Sequence, residues 1–359
     1  MPLALDALNL RSLARGCAVL GAGAGGDTDL GVVMAQHAIA EHGPVAIVTL
    51  DELADGAWIM PCGMVGAPTI APGRIWSGDE GAELRATLEE LRDAPVAALM
   101  CFGIGGANGL LPVGWAARCG LPLVDGDGMG RAFSQLHQQA MHVAGIAASP
   151  VVLTDGRANT IVLRAADDRW AARLASGVAA SLGGVCAASL YGMTAGRARG
   201  AIVEGSLSLA VRLGAMLRSG GIDRALGALE EALGAVLLID GRVVELERDG
   251  GDGNAAGFAV VQGMGVDAGR RLRVELQDGF LVALEDGAVC ASVPDMICLL
   301  ATDSGSPIAS GALAQGQAVA VLAAPGPALW QSPRGIEAVG PRAFGYEIDH
   351  VPLHGRAPR

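Results

Sequence analysis

No lysine occurs among the 359 residues of this chain; all 25 basic side chains are arginine. That excludes a Schiff-base lysine, a P-loop lysine and a lysine general base. The seven cysteines contain no CxxC pair, and an odd number without a secretion signal points to reduced thiols. Cys17, Cys101, Cys290 and Cys298 lie in apolar runs and read as small core residues. Cys62, in Pro61-Cys62-Gly63-Met64, reads as a buried structural thiol in preference to a nucleophile. No HExxH or clustered Cys/His spacing supports zinc, and no GxSxG elbow supports a Ser-His-Asp triad. Uncharged apolar runs fall short of the roughly 18 residues a membrane span needs. Residues 1–15 lack an apolar h-region, so the cytoplasm is the expected compartment.

Positive charge is also in deficit. The net charge of -12 argues against nucleic acid or an anionic membrane as partners and leaves a small molecule as the expected one. Glycine is abundant, with 54 residues in short loops between apolar runs. The chain is long enough for two domains, and 51% hydrophobic residues mark it as globular.

Strands are expected at 16–20, 45–50, 57–61, 96–102, 121–124 and 150–153, with helices at 28–41, 80–93, 110–119 and 131–144. This alternation predicts an α/β fold, a three-layer α/β/α domain with a mostly parallel sheet over residues 1–165. Residues 166–359 form the second domain. Helices are expected first, at 167–182, 205–218 and 223–234; then period-2 segments such as 242–247 and 271–276 predict a β-barrel-like part. The stretch 249–254 reads as a turn. In the 131–144 helix, Phe133, Leu136 and Ala140 would face the core, with Gln138 and His142 on a solvated face.

Three polar, glycine-rich stretches are expected at strand ends. In 21–27, Gly21, Gly23 and Gly26 satisfy GxGxxG, and Asp51 stands 25 residues beyond Gly26, where a ribose-binding acid belongs. This supports a nicotinamide-dinucleotide oxidoreductase. In 103–109, Asn108 is either a ligand contact or an Asx turn. In 125–131, Asp125 and Asp127 could cap a helix, bind turn amides or carry chemistry, and Arg131 could pair with either. Neighbouring strands would bring the three loops to one crevice. Gly23, Gly25, Gly26, Asp27, Gly105, Gly106 and Asn108 would then bind substrate, and Asp125, Asp127 and Asp27 are candidate ligands for a divalent metal ion.

The stretches GAGAGGD (21–27), GAPT (66–69), IGGANG (104–109), PLVDGDGMGRAF (122–133), GSLS (205–208), VPDMICL (293–299) and VGPRAFGYEIDHVPL (339–353) resemble the S-methyl thiohydantoin desulfurase family. The resemblance implies an α/β three-layer domain and a β-barrel-like domain. It also implies hydrolysis of a cyclic thiohydantoin- or hydantoin-type ring with release of a thiol. Asp125 or Asp127 would orient or deprotonate water, through a metal or without one. Arg131 would bind a substrate carboxylate or fix the aspartates. Backbone amides of 23–26 and 105–107 would hold developing negative charge. A hydantoinase/oxoprolinase-type partner is implied, and a homo-oligomer is a further candidate assembly. The chain departs from its relatives at Gly103, where they often carry an acid, and at Gln277-Asp278-Gly279, where Gln-Asn-Glu is usual. These departures motivate a third reading, a non-catalytic partner or sensor of a hydantoinase-like enzyme.

Overall fold

Residues 10–20, whose second half reads as a strand, form a helix instead. The structure, a computed structural model, describes residues 4–26, 28–66, 76–218, 220–248 and 256–353. Helix α1 spans Leu10–Leu20 and buries Leu10, Leu13, Ala14, Cys17 and Leu20. That is helical spacing, and its first apolar residues lie upstream of the apparent strand. The turn expected at 249–254 lies outside the described residues, as do Asp27 and positions 67–69 of the GAPT stretch.

Ten strands form the larger sheet: β1 (Ala4–Leu5), β2 (Val45–Val48), β3 (Trp58–Gly66), β4 (Val96–Cys101), β5 (Leu123–Asp127), β6 (Val151–Thr154), β7 (Thr160–Leu163), β8 (Val185–Ser189), β9 (Met193–Thr194) and β10 (Val203–Glu204). Their order is β1-β2-β5-β4-β3-β8-β6-β7, with β10 on β5 and β9 on β3. The centre, β2-β5-β4-β3, is parallel, as the β/α alternation implies, and the flanking pairs are antiparallel. Strands from both sides of residue 165 share this sheet.

Helices cover both faces. Helices α2 (Asp29–His42), α3 (Glu80–Arg92) and α4 (Leu111–Cys119) pack with α1 over one side. The segment 131–144 is helical only in α5 (Ala140–Val143). Helix α6 (Asp168–Ser181) covers the second face, followed by α7 (Ala195–Ala198). Helices α8 (Ser206–Met216) and α9 (Gly221–Leu233) join the α1 layer.

The second sheet is antiparallel: β11 (Val236–Arg248), β12 (Gly257–Gly263), β13 (Arg271–Gln277), β14 (Gly279–Glu285), β15 (Ala288–Ser292), β16 (Met296–Ala301) and β17 (Ala318–Ala324). Its order is β15-β14-β13-β12-β11-β17-β16, and it curls so that edge strand β16 approaches β14 and β15. This half-barrel encloses Val261, Leu272, Val274, Phe280 and Val321. Alternation such as Leu272, Val274 and Leu276 inward with Arg271 and Arg273 outward produces it. The α1–α8 layer joins the two sheets, since its core continues into Met296, Leu300 and Leu322. Helix α10 (Pro333–Val339) packs beside α5, with Ser332 capping it through Gly335 N. No helix among the described residues is long and apolar enough to cross a membrane.

Candidate functional site

Asp125 and Asp127 lie inside β5, not in a loop after it. Two residues apart on a strand, they face the same side. Asp125 Oδ1 accepts Ser208 N at 2.9 Å and its carbonyl accepts Gly205 N at 2.9 Å, so Asp125 caps α8. Asp127 is fully buried. Its Oδ2 accepts Ile104 N at 2.8 Å, Met129 N at 2.9 Å and Gly130 N at 2.8 Å. One carboxylate therefore ties the end of β4 to the turn after β5. Burial pushes its pKa up to about 6, against the lowering effects of the Ser206 hydroxyl and the three amides.

Arg131 pairs with neither aspartate. It is 1% exposed, its Nη1 donates to the Asp295 carbonyl at 2.7 Å, and its guanidinium lies over the Phe133 ring. Burial lowers its pKa to about 10, with Cys298 and Asp295 opposing. A side chain this enclosed does not reach a substrate carboxylate from where it stands. Asp295, also buried, accepts Gly326 N and Leu353 N and so fastens the end of the half-barrel segment.

Residues 128–140 leave β5 and return to it as a compact loop, where a helix was expected. Ala140 N donates to the Gly128 carbonyl at 2.7 Å and closes the base. Inside, Trp330 Nε1 donates to the Met129 carbonyl, and Phe133 meets the Trp330 ring edge-on at 5.3 Å. The helical periodicity of 131–144 is met by burial against Trp330, Ala338 and Val339, some 200 residues on in the chain. Gln138 is buried, not solvated, and donates to the Ala338 carbonyl. His142 is not free in solvent either, because its Nδ1 lies 2.6 Å from Asp168 Oδ2.

The other two glycine stretches do meet this one. The Ala107 amide donates to the Gly25 carbonyl at 2.8 Å, and Ala132 N to the Leu20 carbonyl at 3.1 Å. A Cβ on Gly106 would stand 2.1 Å from the Gly25 carbonyl oxygen, and one on Gly105 2.8 Å from Ala132 N and Gly21 Cα. Gly23 packs against the Phe280 ring. Gly25, Gly105 and Gly106 thus let backbone meet backbone, Gly23 makes room for the Phe280 ring, and Gly26 continues the same turn. Gly106→Ala, at φ +67 and with this overlap, is expected to lower stability by about 2 kcal/mol in urea denaturation. Asn108 serves the fold as well: its carboxamide pairs with Met64, accepting N at 2.6 Å and donating to O at 3.3 Å.

The dinucleotide reading loses its geometry. That fingerprint needs a strand before the first glycine, and here α1 precedes Gly21. Asp51 lies in a short helical turn and is ion-paired with Arg199. Among the described residues no three His, Cys, Asp or Glu side chains gather as a metal site. Cys17, Cys62 and Cys101 are buried, and burial pushes all three thiols up, away from thiolate chemistry.

A cleft of about 560 Å³ opens at the outer end of the 128–140 loop. Gln135, His137 and Gln138 form one wall, Arg169 of α6 stands at its side, and Glu337 of α10 with residues 340–343 and 348–350 forms the other. Two of the motif-bearing stretches, the loop that begins DGDGMGRAF and the segment 339–353, therefore face each other across it. His137 is half-buried, and its Nδ1 has no hydrogen-bond partner. Burial, then the Arg169 charge, lowers its pKa, so the ring is neutral at neutral pH. Sequence reasoning missed Arg169 and Glu337 because nothing local distinguishes them from surface charges.

Two family models match the chain end to end: S-Me-THD-like, N-terminal domain, over residues 8–165, and S-Me-THD-like, C-terminal domain, over residues 166–353. The chain belongs to the S-Me-THD-like family. A crystal structure of a protein from Chromobacterium violaceum has the same fold, with a TM-score of 0.80 and 21% identity over 98% of this chain and 100% of that one. No curated protein matches the chain.

Proposed function

We propose that the chain is a hydrolase that releases a thiol from an S-methyl thiohydantoin-type ring bound in the cleft. The match of both family models across residues 8–353 carries this reading. Water adds to the ring carbon between the two nitrogens, the carbon–sulfur bond breaks, and methanethiol leaves with a proton. A hydantoin remains. His137, a neutral side chain lining the cleft, takes the proton from water and returns it to the departing sulfur. Asp127 acts as a positioning residue, because its oxygens are occupied by the amides that shape the loop. Asp125 holds α8 beside it.

The test is direct. Purified protein is incubated with S-methyl-2-thiohydantoin, and free thiol is followed with a colorimetric reagent. Thiol and hydantoin are expected in equal amounts, and His137→Gln is expected to slow release by roughly 100-fold. Thiol release no faster than in buffer would remove the hydrolase.

A second reading has a specific observation behind it. A side chain at position 103 would meet the Met129 sulfur at 2.8 Å, so Met129 fills the space where relatives carry an acid. Asp278 has no ion pair or hydrogen bond among the described residues and burial raises its pKa, while its neighbour Gly279 lies against the Ala22–Ala24 turn. A partner or sensor that binds the ring without turning it over would account for both.

A further inference from the structure

The larger sheet ends differently at its two edges. At one, β1 is only two residues long, and a stub of that kind blunts an edge. At the other, β7 runs Thr160–Leu163 in unbroken register with β6, and among the described residues no strand lies on its outer side. It carries no charge and no proline, and no bulge turns it away. Such an edge offers its backbone donors and acceptors to another strand. The flanks are apolar as well. Leu163 packs under α6, so Val162 projects from the opposite face, where it is 40% exposed. Trp170 and Leu174, one turn apart on α6, are 48% and 41% exposed. Helix α6, which packs on β7, turns Ala171, Ala175 and Ala179 to the core and leaves these two outside it. Arg157 precedes β7 and Asp167 follows it, equally far along the chain from Val162. Both are exposed, and neither has an ion pair among the described residues; Asp167 spends one oxygen on capping α6.

We propose that β7 is the seam of a homodimer, in which the β7 of a second copy adds antiparallel and continues the sheet. Antiparallel neighbours are related by a two-fold axis perpendicular to the sheet, so one surface serves both copies. An axis at Val162 sets that side chain against its equivalent. It also brings Arg157 of each copy to the end of the seam where the other copy's Asp167 lies. Opposite charges at the two ends of one strand are what an antiparallel self-pair needs; a parallel pair would set like against like. The same axis keeps both α6 helices on one face, so Trp170 and Leu174 border the seam there while Val162 fills it on the other. The edge is then covered on both faces and its backbone groups are paired.

Sedimentation velocity on the full chain tests this. At about 10 µM the mass is expected to be twice that of one chain. Val162→Lys puts like charges face to face at the axis and should give a monomer with unchanged circular dichroism. Arg157→Gln and Asp167→Ser, the second of which keeps a helix cap, should each weaken the dimer about fivefold. The double variant should be no weaker than either, because both remove the same contact. Val162→Cys places two thiols at the axis, so a mild oxidant should join the copies through a disulfide that a reductant reverses. The unmodified protein under the same oxidant is the control and should stay unjoined. A monomer at about 100 µM would overturn the proposal. A dimer that survives Val162→Lys would do so too, as would one that Val162→Cys does not cross-link, since either places the contact elsewhere on the surface.

Discussion

Replacing Asp127 with alanine is expected to lower stability by roughly 3–5 kcal/mol, enough to threaten folding of a domain of ordinary stability. The carboxylate is fully buried and is the shared acceptor of three amides, Ile104, Met129 and Gly130. Alanine leaves all three donors buried without partners, and each costs about 1–3 kcal/mol. Asparagine keeps one acceptor oxygen but turns an N–H₂ toward donors, so a smaller loss is expected. Urea denaturation of the three proteins would check the order. Alanine equal to wild type would mean that the loop holds itself without this side chain.

The same residue predicts a pH dependence. Its folded pKa, pushed up to about 6 by burial, lies above the ordinary value of 3.8. The folded state therefore holds its proton while the unfolded state releases it. The contribution is fully present below about pH 4 and is lost as pH rises to about pH 6, by about 3 kcal/mol in total. Subtracting the Asp127→Asn stability curve from that of wild type isolates it. A difference that rises with pH over that window would contradict the sign.

The second large effect is expected at Gly214. Helices α1 and α8 cross in close contact: a Cβ at Gly214 would lie 1.7 Å from the Ser12 carbonyl oxygen, and one at Gly16 1.9 Å from the Ala210 carbonyl oxygen. The atoms in the way are backbone, so a rotamer change cannot relieve the overlap. Gly214→Ala must push the helices apart, and a loss of about 3 kcal/mol or more is expected. Gly227→Ala, in α9 with open space around its Cβ position, is the control and should be neutral or slightly stabilising. Thermal unfolding would separate the two. Since α1 and α8 join the two sheets, the Gly214 variant should lose cooperativity as well as melting temperature.

Much of the architecture was legible in local pattern. The β/α alternation and the period-2 segments after residue 236 correspond to the parallel centre and the half-barrel. The two misread elements share a cause. The strand expected at 16–20 and the helix expected at 131–144 both lie in segments whose conformation is set by contacts far along the chain. Cys17 and Leu20 pack in the α1–α8 layer, while Arg131, Phe133 and Gln138 meet Asp295, Trp330 and Ala338. A periodicity reports that certain side chains are buried, and it does not say against what.

By itself, the sequence determined the fold class and the family. It also determined what chemistry lysine could not perform. Those follow from composition, short-range periodicity and motif order, which are properties of the chain read locally. Only the tertiary structure decided which charged groups face solvent. Burial takes Asp127 and Arg131 out of reach and gives them a framework role. The cleft beyond them is lined by His137, Arg169 and Glu337, far apart in the chain and unremarkable in it. The physical reason is that a side chain's ionisation, partners and access depend on the dielectric and the donors around it. Those are set by segments that meet only once the two sheets have closed over the α1–α8 layer.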